Sequence, residues 1–435
     1  MADDLGYGDL ACYGQEYIKT PNIDRLAEQG MKFTNFYAGS MTCAPSRCTL
    51  MTGQHTGRTI VRSNLTELKT MDIILTRLRL KKSKKSKRRV GLRDEDFILP
   101  ELLKAAGYVT GMIGKWGLGE EGTSGKPNEQ GFDEWFGYLN QDKAHDHFAE
   151  KLWKNDTEIV IKENLDDKKE KYSHNLFEEE ALDFIRRYLD RKFFLYLPFT
   201  LPHNNYEIPD QGIYKDYNWT EEEKNYAAMV SLLDSSVGKI MKLLGELGLD
   251  RNTMVFFCSD NGAPEFPISR FKSNGRFKGS KHQFYEGGLR VPMIVKYPER
   301  IAAGVTSDEV WYLPDVMPTI ADLLGIDLST NVDGISVWPL LTENIPSMPS
   351  RILYWEGYQP ELMWAARWNN WKAIQLAPEK PIQLYDLYLD HSEQSDVSHL
   401  HTEIVAKFES FFLESHTFSP FWPKNSTIET TLTDN

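Results

Sequence analysis

The chain has 435 residues, 41% of them hydrophobic and 12% aromatic, which is enough for a large core and excludes global disorder. Fifty Lys and Arg against 63 Asp and Glu leave a formal net charge of −13, which argues against a dedicated nucleic-acid binder. No window approaches the ~18 uninterrupted apolar residues of a membrane span, and Cys12, Cys43, Cys48 and Cys258 are too sparse for a disulfide framework.

In chain order, Thr20-Pro21-Asn22 opens a helix whose apolar face is Ile23, Leu26 and Ala27 and which Gly30 closes. Met31 to Tyr37 alternates as a strand. Cys43-Ala44-Pro45-Ser46-Arg47 begins a helix, and Cys43 and Cys48 could be metal ligands, a disulfide or something less ordinary. Pro100 to Ala106 is a short helix ended by Gly107, and Tyr108 to Ile113 a strand. A helix through Ala181, Leu182, Ile185 and Leu189 leads into strand Phe193 to Leu197. A long helix, Glu221 to Leu247, leads to strand Thr253 to Cys258, where Cys258 reads as a buried small hydrophobe. Strand Val291 to Tyr297 and helix Asp315 to Leu324 follow. This strand–helix alternation argues for a mostly parallel sheet covered on both faces. After Pro349, strands Ile352 to Trp355 and Trp371 to Leu376 and a helix near Glu403 to Phe411 read as a smaller α+β unit. Residues past Pro420 read as a frayed end.

The charge is uneven. Arg77 to Arg93 holds ten Lys or Arg and no acid, so the remainder of the chain is −23. Asn-X-Ser/Thr acceptors stand at Asn64, Asn155, Asn218 and Asn425 and favour a secretory route weakly.

In open α/β sheets the chemistry sits at the carboxyl ends of strands. Those loops hold Asp3, Asp4, Asp260 and Asn261, hard oxygen donors suited to Ca²⁺ or Mg²⁺, although an acidic pair beside Gly also suits a solvated turn. Lys115, Lys281 and Arg47 are cations for an anion, and the amides at the helix start after Pro45 would join Arg47 in holding one. His203, in a loop after Pro202, is a candidate general acid or an exposed loop histidine. A divalent cation among such groups points to an oxyanion ester as substrate.

These residues stand in recognisable segments. Cys43-Ala44-Pro45-Ser46-Arg47, continuing to Met51-Thr52-Gly53, resembles the C-x-P-S-R…T-G signature of type I, formylglycine-dependent sulfatases, of the arylsulfatase-like and alkaline-phosphatase-like superfamily. Asp3-Asp4-Leu5-Gly6, Gly114-Lys115-Trp116-Gly117-Leu118-Gly119, Leu201-Pro202-His203, Ser259-Asp260-Asn261-Gly262 and Lys281 before Glu286-Gly287-Gly288 resemble further family segments, in the family's order.

The resemblance implies an α/β fold with a large mixed sheet flanked by helices and a small C-terminal domain with an antiparallel sheet, here residues 1–345 and 346–435. It implies hydrolysis of a sulfate ester, as an arylsulfatase or sulfated-glycan sulfatase. A phosphonate or phosphodiester hydrolase of the same superfamily and a non-catalytic relative are the alternatives. Asp3, Asp4, Cys43, Asp260 and Asn261 would hold one divalent cation, Ca²⁺ with Mg²⁺ as the alternative. Cys43 would be oxidised by a formylglycine-generating enzyme and act as nucleophile. Its geminal diol lets the second hydroxyl expel sulfate, which a plain Ser could not do. Arg47 would hold that hydrate, and Lys115, Lys281 and His203 would bind sulfate oxygens, with His203 or Lys281 protonating the leaving alcohol. The setting implied is secreted, lysosomal or periplasmic, with no nucleic-acid partner.

Three departures set further expectations. Many family members have His where this chain has Gly117; here Asn140-Gln141-Asp142-Lys143-Ala144-His145 offers His145 as the replacement base. The family has an apolar strand before the Asp pair, preceded by a signal peptide, so the N-terminus is expected to be incomplete and the sheet to lack a member. The basic stretch Leu78 to Val90 matches no family segment and reads as a surface insertion, with polyanion binding as the sharper expectation. Tyr138, His147, Tyr206, Phe266 and Trp355 are candidate rim residues or packing.

Overall fold

The computed structural model describes residues 1–65, 89–266, 268–328, 331–342, 347–359, 361–419 and 421–422. The bulk of the basic insertion (77–88), the expected boundary at 345/346, Asn425 and the expected frayed tail from 423 on lie outside these residues.

Strands β1 (Met31–Phe33) and β2 (Phe36–Tyr37) fall in different sheets, so the single strand expected over 31–37 is two. The break follows from pairing: β1 lies between β9 (Met293–Lys296) and β10 (Val305–Ser307), whereas β2 pairs with β11 (Trp311–Tyr312). A five-stranded sheet runs β6 (Thr157–Val160), β5 (Lys151–Lys154), β4 (Glu134–Tyr138), β3 (Val109–Lys115) and β7 (Phe193–Tyr196). A second runs β10-β1-β9-β8, with β8 at Val255–Cys258. The β3 pairings with β4 and β7 are parallel, but β9 is antiparallel to both β1 and β8, and β5 to β4. The sheets are therefore mixed rather than mostly parallel.

Helices α1 (Pro21–Glu28), α2 (Cys43–Thr52), α3 (Leu99–Ala105), α4 (Ser173–Arg187), α5 (Glu221–Glu246) and α6 (Val316–Leu323) cover them. Neighbouring β3 residues Met112 and Ile113 point into two different apolar cores, as a sheet buried on both faces requires. The longest helix, α5, starts on a reciprocal cap: Thr220 Oγ1 accepts from the Glu223 amide and Glu223 Oε2 from the Thr220 amide.

The C-terminal sheet is an antiparallel meander of β12 (Ile352–Tyr358), β13 (Leu362–Trp368), β14 (Trp371–Gln375) and β15 (Gln383–Asp386), packed by helix α7 (Thr402–Ser415). Tyr354, Trp364 and Phe412 join the same apolar cluster as Phe33 and Met51, so the core runs on from the large sheets into the small one.

Met1–Asp3 lies between β7 and β8 and bonds to both sides. The Ala2 amide donates to Cys258 O (2.8 Å), the Asp260 amide to Ala2 O (3.2 Å), the Phe199 amide to Met1 O and the Asp3 amide to Leu201 O (both 3.1 Å). Alongside, β7 and β8 flank a largely apolar cavity of about 830 Å³ lined also by Val237, Met241 and Val316. No helix of the described residues is long and apolar enough to cross a membrane.

Candidate active site

The segments that carry Asp3-Asp4, Cys43 to Arg47, Lys115, His203, Asp260-Asn261 and Lys281 meet at one place, the carboxyl ends of β3, β7 and β8. Asp3 and Asp4 follow directly on the Met1–Ala2 pairing, and Asp4 adopts a left-handed φ of 66°, a conformation non-glycine residues seldom take outside constrained sites. The Asp4 amide donates to Asp260 Oδ1 (3.1 Å) and the Leu5 amide to Ser259 Oγ (3.0 Å), which locks the two acidic segments together. Cys43 is the first residue of α2, fully buried, with Sγ 3.4 Å from Asp3 Oδ1 and 3.9 Å from Asp4 Oδ1.

Charge is dense here. Lys115 Nζ donates to Asp3 Oδ2 (2.6 Å), Lys281 Nζ to Asp4 Oδ2 (2.7 Å), and Arg47 Nε and Nη2 to Asp260 Oδ2 (3.0 and 2.8 Å). Burial alone would raise the Asp3 and Asp4 carboxyls, but Lys115 beside Asp3 and Lys281 beside Asp4 hold them below the usual carboxylate range. Asp260 goes the other way, pushed up to about 6 by burial and the adjacent Asp3. Burial also pushes the Cys43 thiol up to about 12, so the unmodified side chain is a poor nucleophile at neutral pH.

The donor set fits a hard divalent cation. Asp3, Asp4, Cys43 and His203 each bring one ligand atom within 4.8 Å of the others, and the buried Asn261 Oδ1 has no hydrogen-bond partner among the described residues. Asn261 Nδ2 donates to Asp4 Oδ1 (2.7 Å), which aims its free oxygen. Asp260 is anchored on both oxygens, one accepting from Arg47 and the other from the Asp4 amide.

Arg47 also differs from the anion clamp expected of it. It donates to the Lys115 carbonyl (2.8 Å) and to Asp260, and so ties the β3 end to the β8 end. The amides at the start of α2 are occupied as well: Ala44 N–H by Asn64 Oδ1 (3.1 Å) and Ser46 N–H by Thr42 O (3.2 Å). Cys48 does not pair with Cys43; it is a free thiol packed in the core.

His203 Nε2 lies 3.1 Å from Lys281 Nζ and 3.4 Å from Asp4 Oδ2. His145 stacks on it, rings 4.2 Å apart and 17° from parallel. Burial lowers His145 to about 4 and His203 to about 3, so both imidazoles are neutral. Gly117 has φ +75°, and a Cβ there would sit 2.2 Å from Gln141 Oε1. Gln141 fills the room a side chain at 117 would need; its buried amide has no partner among the described residues.

Of the candidate rim residues, Trp355 and Tyr138 are packing. Trp355 is fully buried in the C-terminal core with Nε1 on Ala38 O (2.8 Å), and Tyr138 packs on Phe177 and donates to Asp146 O. His147 is buried, its Nε2 2.9 Å from His203 O, where it supports the loop that carries His203. Tyr206 and Phe266 pair 5.1 Å apart and are half-buried, so the pair can border the mouth. Sequence reasoning missed the roles of Asn64, read only as a glycosylation acceptor, and of Gln141; neither has a local signal, because each acts on a distant segment.

Residues 1–326 match the family profile Sulfatase, and residues 276–414 the profile of the N-sulphoglucosamine sulphohydrolase C-terminal region. The chain belongs to the sulfatase family. N-acetylgalactosamine-6-sulfatase of Canis lupus familiaris is 34% identical over 378 residues, covering 82% of this chain and 67% of that protein. Arylsulfatase A of Homo sapiens is 31% identical over 399 residues, covering 86% and 73%. The crystal structure of Ps i-CgsB superposes with a TM-score of 0.82 at 28% identity, over 100% of this chain and 95% of that one. The fold is that of sulfatases, α/β and alkaline-phosphatase-like with a C-terminal sheet, and the chain is a sulfuric ester hydrolase. Sulfatases work with a formylglycine and a divalent cation.

Proposed function

We propose that this sulfatase removes sulfate from a sulfated sugar or glycan, with Cys43 matured to formylglycine and one Ca²⁺, or Mg²⁺, held by Asp3, Asp4, Asp260, Asn261 and the residue at 43. The observation that carries this is the convergence of Lys115, Lys281 and His203 on the carboxylates around Cys43. The glycan part draws on the relatives: one is an N-acetylgalactosamine-6-sulfatase, and Ps i-CgsB was solved with a neocarrahexaose.

The cation supplies charge neutralisation on the sulfate and a lowered hydroxyl pKa. The formylglycine hydrate supplies a nucleophile with a second hydroxyl, which a thiol held near 12 does not. Lys115 and Lys281 hold sulfate oxygens and orient the ester. Neighbouring anions keep Lys281 protonated against its burial, and its 3.1 Å contact gives His203 a proton route to the leaving alcohol. Neutral His145, on the outer face of His203, takes up the proton when sulfate is released. Arg47 and His147 keep Asp260 and His203 in place. Maturation calls for a formylglycine-generating enzyme and a secretory or periplasmic route.

Mass spectrometry of the peptide containing Cys43, from a secretory host, tests the proposal: a loss of about 18 Da, aldehyde for thiol, is expected. Turnover of the sulfate ester of a phenol should exceed that of its phosphate ester. An unmodified thiol with no turnover would favour a non-catalytic protein, and preference for phosphate would favour a phosphoryl hydrolase.

A further inference from the structure

Lys281 sits on a closed loop. The Gly287 amide donates to Lys278 O (2.7 Å) and joins its ends, while inside it the Lys281 amide donates to Ala263 O (2.9 Å) and the His282 amide to Met41 O (3.0 Å). Both ends are gripped by one residue from the far end of the chain. Glu393 O accepts from Lys278 Nζ (2.9 Å), and Glu393 Oε2 accepts from the Glu286 amide (2.7 Å). Its neighbour Ser392 donates from Oγ to Arg276 O (3.0 Å), just ahead of the loop. Glu393 is fully buried, with a left-handed φ of 51°, and its other carboxylate oxygen lies 3.1 Å from Lys372 Nζ on β14.

We propose that Glu393 is a positioning residue for Lys281, clipping both ends of the 278–287 loop so that the ammonium stays between Asp4 and His203. The inference rests on Lys281 binding the sulfate. Glu393 touches neither the carboxylates nor the cysteine of the site; it acts through the loop backbone. The need for such a clip is physical. A lysine is a point charge on a flexible four-carbon stem, so its placement depends on where its backbone is held. Its contacts of 2.7 and 3.1 Å leave little slack, and a displacement of about 1 Å costs on the order of a hundredfold in rate. Removing the carboxylate also leaves a buried amide without an acceptor, which the loop can relieve only by moving.

The test compares Glu393→Ala, Glu393→Gln, Lys281→Ala and Glu393→Ala/Lys281→Ala in the full chain, assayed well below each thermal midpoint with a phenyl sulfate ester and with inorganic sulfate as inhibitor. Glu393→Ala should lower kcat/KM by about ten- to a hundredfold and raise the inhibition constant of sulfate in parallel. Glu393→Gln keeps an acceptor for the Glu286 amide, and burial already pushes the native carboxyl up to about 7, so this variant should stay within about threefold of the parent. If Glu393 acts through Lys281, the double variant should be no worse than Lys281→Ala. Full additivity would overturn the proposal in favour of a general structural role, and so would unchanged kinetics of Glu393→Ala. Should Glu393→Ala fail to fold, Lys278→Met removes the other grip and should shift kinetics in the same direction. Unimpaired turnover of Lys281→Ala would instead overturn the sulfate-binding role of Lys281, and this proposal with it.

Discussion

Two buried charge clusters, each of carboxylates and cations, are joined by the Lys281 loop, which gives Lys281 to one and Glu286 to the other. In the active site Asp3, Asp4 and Asp260 crowd together against Arg47, Lys115 and Lys281, and Asn261 Oδ1 is left without a partner. In the second cluster, Glu286 accepts from Lys372 Nζ (2.8 Å), Tyr37 OH (2.7 Å) and Arg290 (3.1 Å), with Arg367 on the same tyrosine. There burial would raise Glu286, but Lys372, Arg290 and Arg367 hold it down to about 2. Both clusters bring carboxylates close together, since Glu286 and Glu393 share Lys372 as Asp3 and Asp4 share the active site. They differ in what holds each acid: Glu286 is satisfied by three side-chain donors and ties segments together, whereas the active-site acids stand beside the unpartnered Asn261 Oδ1 and the cysteine.

The comparison can be broken in two places. Asp3→Asn keeps the shape and an acceptor for Lys115 but removes a carboxylate suited to the cation. Turnover should fall about a thousandfold or more, with calcium-dependent stabilisation in thermal unfolding lost. Lys372→Met should do the opposite. It removes the cation that Glu286 and Glu393 share, leaving Glu286 on Tyr37 and Arg290 and Glu393 without its ion pair, and denaturant unfolding should show about 3–5 kcal/mol less stability, with turnover of the folded fraction kept within a few-fold as Glu393 takes a proton. If Asp3→Asn costs more stability than Lys372→Met, the distinction between the clusters is wrong.

The difference also marks what the sequence makes legible. Asp3-Asp4, Cys43 to Arg47, Lys115, His203 and Asp260-Asn261 are readable because each lies in a short contiguous segment at a strand end, where chemistry and backbone coincide. Glu286 and Glu393 are not, because two glutamates far apart in sequence reveal nothing of the lysine they share. Strand β13 was missed for a related reason: Leu362 to Ala366 is buried on both faces, so the period-two alternation that exposes a strand is absent. Trp355 looked like a rim aromatic for want of any sign that β12 would be covered by the main domain; its indole instead reaches Ala38 O. The mixed polarity of the large sheets was hidden too, since alternating elements do not say which strand turns over.

His145 offers the finest division within the active cluster itself. It is half-buried and stacked on His203, and among the described residues no carboxylate lies within ion-pair distance of it. Its ring is held by the stack and its backbone by two bonds: the His145 amide donates to Asp142 O (3.3 Å), and Asn205 Nδ2 donates to His145 O (3.3 Å). Its imidazole is therefore a neutral base that can pick up a proton without breaking a pair, whereas protonating Asp3 or Asp4 would release a lysine. His145→Ala should lower kcat by about ten- to a hundredfold, the usual worth of one general base, and leave KM and stability nearly unchanged. Because release of sulfate would then be the slow step, sulfate bound covalently at position 43 should accumulate and be visible by mass spectrometry after brief exposure to substrate. Raised KM with unchanged kcat would instead make His145 a substrate-contact residue, and the base would have to be sought elsewhere among the groups around Cys43.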